Sequence, residues 1–432
     1  MNKRGMMNMA MPSLFGMKKL PSGQSTYIVN ENFQRFNQKY NLIYQGDWNP
    51  ELGHLSNKAF SESRADKVKK NMPGYSRLDL AYLAALTANL EATNFSINVP
   101  NSGGTSWSPL ERDSYNLAKQ LDEWVYEHST TDLIKSFAMS IGADDVGVCL
   151  LDRRWVYSHY YDVATQESFP IRFSDEPGYE NFNKPGKADD NSLVIPSSMK
   201  YAIVFIENMD LDGIATAPTM THFATTYQSY SKIGYVTMAI AEFIRTLGYN
   251  AIPSSNDTAI NIPLAIDAGL GELGRNIKLI HPVFGPRCRI AKVITDLPLV
   301  PDSPISFGAT EFCETCKKCA KRCPSKALSM EGRSFDSIGD YSCQGLYCWQ
   351  ADHARCRDFW IKIGTNCGLC IHVCPFNKPQ GLVHTLTKSI IASTSVFNRL
   401  IVSFDDLMRH GKPVPSGDFW KDFSKRYKKN KP

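Results

Sequence analysis

The sequence predicts an α+β fold in which mixed helices and strands lead into a compact cysteine-dense segment and a helical tail. Three observations carry this prediction. Residues 230–247 repeat apolar side chains at helical spacing, residues 199–206 and 289–294 are β-prone runs of strand length, and ten of the twelve cysteines fall between 313 and 374.

In the first run, Ile233, Val236, Ile240, Phe243, Ile244 and Leu247 share one helix face, and Gly248 is a natural C-terminal stop. Met199 to Ile206 form a short apolar strand, and Pro298 ends the β-prone run before it. A second helix is expected from Ser114 through Trp124. Residues 165–198 are dense in Pro, Gly, Asp and Asn and read as a loop or small insertion. The first hundred residues are polar and turn-rich, with breakers at Asn49-Pro50 and Ser102-Gly103-Gly104.

Composition bounds the function. With 43% hydrophobic and 21% charged residues the chain reads as an ordinary globular protein. Its 48 basic and 43 acidic residues leave a net charge of +5, too balanced for a nucleic-acid partner, and the basic tail from Lys425 reads as a solvated terminus. No apolar run reaches the ~18 residues of a membrane-spanning helix. Met1 to Met17 lack both a signal-peptide apolar block and an Arg-Arg pair, which implies a cytoplasmic protein or a processed mature form.

The cysteines carry the chemistry. Cys313-x2-Cys316-x2-Cys319-x3-Cys323-Pro324 is the bacterial ferredoxin run, in which three cysteines bind one cubane and the fourth reaches to another. Cys367-x2-Cys370-x3-Cys374-Pro375 has the same ending and lacks one cysteine. By crossover, one [4Fe–4S] cluster takes Cys313, Cys316, Cys319 and Cys374. The other takes Cys323, Cys367, Cys370 and one of Cys343, Cys348 and Cys356. Tetrahedral zinc would need neither the three-cysteine run nor two Cys-Pro endings. His372 then reads as a neighbour of a cluster. Gly269-x-Gly271-x-x-Gly274 matches a dinucleotide fingerprint, but the residues before it look helical and Pro282 interrupts the stretch after it. These glycines read instead as backbone brought close to a large cofactor.

Several motifs in fixed order give the chain a family resemblance. They are Ser229-Tyr-Ser-Lys-Ile233, Phe243 to Tyr249, Ala251 to Asp257, Ala268 to Asn276, Phe284 to Arg289, Lys292 to Leu299, and Phe307 to Cys313. Together they resemble the corrinoid-dependent reductive dehalogenases, the catalytic subunits of organohalide respiration. The resemblance is dense from about 135 to 380. It implies a base-off cobamide in a nitroreductase-like α/β core beside two [4Fe–4S] clusters in a ferredoxin-like segment. The absence of a D-x-H-x-x-G motif around any of the nine histidines agrees with a corrinoid that takes no histidine ligand.

The resemblance also assigns residues. Tyr230 matches the family's proton donor, with Asn256 and Arg289 as its polar companions, and Trp360 aligns with a pocket wall. Cys356, ten residues ahead of the Cys-x2-Cys pair, becomes the fourth ligand of the second cluster, leaving Cys343 and Cys348 spare. Gly269, Gly271 and Gly274 are expected at the cobamide. A free tyrosine, with a pKa near ~10, is too weak an acid alone, and a guanidinium nearby stabilises its phenolate. The expected organisation is an N-terminal region at 1–135 contributing to the pocket, a cobamide-binding core at 136–307, an iron–sulfur domain at 308–378, and a helical segment with a basic tail at 379–432.

The implied reaction replaces a carbon–halogen bond with carbon–hydrogen, using two electrons through the clusters and cobamide and a proton from Tyr230. The implied partners are a small organohalide, a small membrane-anchor protein and a quinol-linked or other low-potential donor. The mature form is expected at the outer face of the cytoplasmic membrane, and a homodimer is compatible. Two rivals stand beside this reading: an epoxyqueuosine reductase acting on transfer RNA, and a ferredoxin-like carrier with no substrate. The long stretch ahead of the clusters argues against the carrier, and the lack of a basic surface signal argues against RNA.

Overall fold

A computed structural model of the chain describes residues 15–21, 23–92, 107, 113–121, 128–163, 165–408 and 411–428. Its centre is a four-stranded antiparallel sheet in the order Asp145–Leu150, Tyr201–Asn208, Cys288–Thr295, Ala251–Ser254. Strand side chains alternate between faces. Val146, Val148, Ile203, Phe205, Ala291 and Val293 therefore meet one core, while Cys149, Ala202, Val204, Ile206, Ile252 and Ile294 meet another. A 27-residue helix, Met220–Thr246, covers the first face through Ile233, Val236, Ile240 and Ile244. The short helix Asn261–Asp267 covers the second through Leu264, Ala265 and Ile266, with Trp155 beside it.

The long helix ends where expected, at Gly248 with φ +97°, but begins ten residues before Tyr230. Its start is capped by the Thr219 side chain, which accepts from the His222 N–H. Met220 to Thr226 are all buried, so the apolar–polar contrast that reveals a surface helix is missing there.

The 165–198 stretch is more ordered than a loop. Strands Glu167–Phe173, Gly186–Lys187 and Leu193–Ile195 join His159–Asp162 in a second four-stranded sheet. The N-terminal part likewise contains helices at Asn57–Lys69 and Arg77–Ala92. The second of these packs on the long helix, where Asp79 accepts from Thr221 Oγ1 at 2.8 Å. Asp113–Ala118 is the helical part of the predicted 114–124 element. Its 122–124 portion, like the Ser102-Gly103-Gly104 breaker, lies outside the described residues.

The cysteine-dense segment is built from the short helices Ala309–Cys316, Lys318–Lys321, His353–Ile363 and Leu369–His372. Helices Leu382–Ser393, Asn398–Leu407 and Ser416–Lys428 complete the chain. Among the described residues no helix is long and apolar enough to cross a membrane.

One contact gives a direct stability test. A Cβ on Gly147 would lie 2.0 Å from the Ala268 carbonyl oxygen, so the strand and the 261–268 helix touch only because residue 147 is glycine. Gly147→Ala is expected to cost about 1–3 kcal/mol by overpacking, read as a lower urea midpoint. Gly332→Ala, with nothing within 4 Å of the added carbon, should leave the midpoint in place.

Candidate active site

Sheet alternation and helix periodicity bring Tyr230, Asn256 and Arg289 together. Arg289 pairs with Glu207 in the sheet and points to the face covered by the long helix, which carries Tyr230. Its guanidinium carbon lies 4.9 Å from the centre of the Tyr230 ring. The cation thus stands over the ring face, where it interacts with the π-electrons. Asn256 comes just after the Ala251–Ser254 strand and donates from Nδ2 to the Tyr230 Oη at 3.0 Å. Tyr157 donates to the Asn256 carbonyl at 3.2 Å and holds the loop from behind. Thr226 Oγ1, Ser255 Oγ and Arg289 Nε are buried here without a hydrogen-bond partner among the described residues. Buried polar atoms are seldom left unpaired, so their gathering around one tyrosine fits a ligand's polar edge.

The wall beside Tyr230 is apolar. Phe223 and Tyr227 precede it at helical spacing, with ring centres 4.6 Å apart, and Tyr227 lies 6.0 Å from Tyr230. Phe60, Tyr75 and Met220 complete this cluster, and Trp360 packs against it. Ile260 and Ile262 line a partly open cavity. Trp155, Leu273, Cys343, Cys348 and Trp349 also face it, and the Trp349 indole N–H has no partner among the described residues. Its mostly apolar lining with a donor to offer is of the kind that receives part of an organic ligand.

The eight predicted ligand cysteines fall into two neighbouring sets. Cys313, Cys316, Cys319 and Cys374 line one void with Arg275, Phe312 and Phe376. Burial pushes the Cys374 thiol up to about 12, and Cys316 adds to the shift. In the second set, burial pushes Cys356 up to about 12, with Cys370 and Cys323 adding to it. Cys367 is raised by burial and then by Cys370, Cys356 and Cys323. Cys319 also feels Cys370, so the two sets adjoin. Both Cys-x2-Cys loops turn in the same way, through a left-handed residue after the first cysteine: Lys317 at φ 51° and Gly368 at φ 65°. Among the described residues no group of three His, Cys, Asp or Glu side chains is arranged to hold a single metal ion. His372 bonds to the Lys412 carbonyl at 3.0 Å.

Residues 54–299 match the family model described as reductive dehalogenase subunit. The chain belongs to the reductive dehalogenase family. A tetrachloroethene reductive dehalogenase from Sulfurospirillum multivorans is 39% identical over 300 residues, 67% of this chain and 58% of that protein. One from Desulfitobacterium hafniense is 35% identical over 343 residues, 75% of this chain and 61% of that protein. The chain therefore spans less than two-thirds of the length of these curated relatives. A solved reductive dehalogenase, whose structure suggests a mechanism for B12-dependent dehalogenation, shares the fold with a TM-score of 0.64 at 20% identity. That match covers 92% of this chain and 49% of the other. An epoxyqueuosine reductase from Listeria monocytogenes is more distant, at 24% identity over 56% of this chain.

The glycines of the glycine-rich segment pack closely against the protein itself. A Cβ on Gly269 would meet the Ser303 carbonyl oxygen at 2.6 Å, and one on Gly271 the Ile280 oxygen at 2.3 Å. A Cβ on Gly274 would meet the Ile280 side chain at 2.7 Å. The space beside all three is filled by protein, so the protein's own packing requires glycine there. The polar residues between them reach the cysteine loops. Glu272 accepts from the Thr310 N–H at 2.9 Å at the start of the Ala309–Cys316 helix. Arg275 donates to the Cys313 carbonyl at 3.0 Å, and Asn276 to that of Cys370 at 3.2 Å.

Three further residues gave no sequence signal. Asp405 in the C-terminal helices pairs with buried Lys318, between Cys316 and Cys319, and with Lys378 at 2.8 Å. Lys292 is fully buried, and burial pushes its ammonium down to about 7 against the opposing effect of Asp257. Asn261 lies between Lys292 and Asn256.

Cys348 is buried in the core against Trp155 and its neighbours, and Cys343 is influenced by Cys348 alone among the cysteines. Cys356 instead sits in the second set. Anaerobically prepared protein is expected to hold about eight irons. Cys356→Ala should lose roughly half of them, while Cys343→Ala and Cys348→Ala keep the full count. Iron analysis with EPR of the reduced variants decides this, and loss following Cys348 instead would overturn the ligand choice.

Proposed function

We propose that this chain catalyses reductive dehalogenation, replacing a carbon–halogen bond with carbon–hydrogen and releasing halide. The observation that carries it is the Tyr230 phenol, bonded by Asn256, faced by Arg289 and set against an apolar wall. The reaction consumes two electrons and one proton per halide. The eight cysteines of a ferredoxin-like segment would hold two [4Fe–4S] clusters, which with a corrinoid in a nitroreductase-like core would supply the low-potential electrons that the reaction needs.

The chain's own residues manage the proton and the substrate. Tyr230 Oη delivers its proton to the carbon that loses halide. The Asn256 amide already donates to that oxygen, so the bond strengthens as negative charge develops there. The Arg289 cation over the ring favours the same charge. Phe223, Tyr227 and Trp360 offer an apolar surface that suits a small organohalide and keeps water from competing as an acid. The void lined by Cys313, Cys316, Cys319 and Cys374 suits a cubane, which spreads its four cysteines wider than a single ion does.

The name of the Sulfurospirillum relative points to chlorinated alkenes as the first substrates to try. The family resemblance further supports a small anchor protein, a low-potential donor and a location at the outer face of the cytoplasmic membrane. Tyr230→Phe retains the ring and removes its acidic proton. Chloride release should fall by roughly 10²–10⁴-fold while iron and cobalt contents stay at the parent level. A loss below about threefold, far under the general-acid range, would remove Tyr230 from the mechanism.

A further inference from the structure

Behind Asn256 runs a chain of hydrogen bonds whose direction is set by backbone carbonyls, which can only accept. Lys292 Nζ lies 2.9 Å from the Asp257 carbonyl, 3.1 Å from the Ser255 carbonyl and 2.8 Å from Asn261 Oδ1, and as an ammonium it donates to all three. Asn261 must therefore present its oxygen to the lysine and its NH2 to the opposite side. There it meets the Ser255 carbonyl at 2.8 Å, the Ile290 carbonyl at 3.0 Å and Asn256 Oδ1 at 3.0 Å. Two of those acceptors are backbone carbonyls, which cannot donate, so Asn261 is held in one orientation from both ends.

The consequence passes to the next amide. With its oxygen engaged by Asn261, Asn256 has only its NH2 to turn toward Tyr230, where it lies 3.0 Å from Oη. The phenol oxygen accepts, and its own O–H is left to point elsewhere. Among the described residues Oη makes no other side-chain hydrogen bond. Amide orientation is ordinarily ambiguous from heavy atoms alone. Here the acceptor-only carbonyls facing Asn261 Nδ2 remove the ambiguity.

We propose that Asn261 and Lys292 are positioning residues that fix the hydrogen-bond polarity of Asn256, so that the Tyr230 proton is kept for the substrate. Neither residue touches the reacting atoms. The proposal rests on the reading of Tyr230 as the proton donor. Were Asn256 turned over, its carbonyl would accept the phenolic proton and the acid would be tied up within the protein.

Asn261→Asp tests this with almost no change of shape. A carboxylate beside Lys292 accepts and cannot donate, so Asn256 is expected to turn its NH2 toward residue 261 and its carbonyl toward Tyr230. Turnover of the cofactor-loaded enzyme should fall roughly 10- to 100-fold, the worth of one hydrogen bond to a charged group, with KM nearly unchanged. In a Tyr230→Phe background the same substitution should add less than about twofold, because residues acting through one group are not additive. Equal losses in both backgrounds would show a merely structural role and overturn the proposal. Neutron diffraction of the wild-type protein in D2O gives an answer independent of any variant. The amide deuterons of Asn256 should lie toward Tyr230, and finding them toward Asn261 would refute the proposal. If Tyr230→Phe itself keeps its turnover, the proton-donor reading fails while the neutron result still reports the polarity.

Discussion

The register of the Cys288–Thr295 strand is the constraint on which the rest of the site depends. It pairs residue for residue with Tyr201–Asn208 on one edge and with Ala251–Ser254 on the other. Three positions apart on that strand, Arg289 and Lys292 fall on opposite faces of the sheet. Arg289 meets the long helix and the Tyr230 ring, and Lys292 lies under the 255–261 segment. A slip of one residue would exchange the two faces and bury the wrong cation on each. The two cations, each with its own partners on its own face, make such a slip costly.

The cysteine segment depends on this sheet through a small number of polar ties. The 269–276 stretch leaves the core with three glycines packed tightly against backbone or side chain and then places Glu272, Arg275 and Asn276 on the two cysteine loops. From the other side Asp405 holds Lys318 and Lys378, which flank Cys319 and Cys374. Buried ion pairs contribute little net stability but are costly to break singly, so such ties specify position more than they add strength. Accurate placement matters to the proposed electron path, because the two cysteine sets must adjoin each other and lie near the tyrosine.

Much of this was legible in the sequence where the signal was local. Cysteine spacing grouped seven candidate ligands and the family resemblance added Cys356, and helical periodicity found residues 233–247. Motif order singled out Tyr230, Asn256 and Arg289, which the fold brings into contact. The remainder depends on long-range pairing. The first turns of the long helix are buried on all sides and show no amphipathic contrast. The strands within 165–198 are short, and only their partners make them strands. Nothing in Lys292 or Asn261 as letters announces that one orients the other across 31 residues. The glycine-rich segment is hard to read because a need for glycine is the same whether the neighbour is a cofactor or the protein's own carbonyl.

The arrangement separates the electron side from the proton side. The cysteine sets stand behind the 269–276 stretch, and the phenol faces an apolar wall with its oxygen accepting from Asn256. Such a site is suited to adding electrons and a proton at one carbon. The central claim is tested most directly by the fate of that carbon. Cofactor-loaded protein, given tetrachloroethene and a reduced viologen in D2O, should release one chloride for every two electrons consumed. The carbon that lost chlorine should carry deuterium. Chloride released with a hydroxylated product, or no chloride from fully loaded protein, would contradict the account.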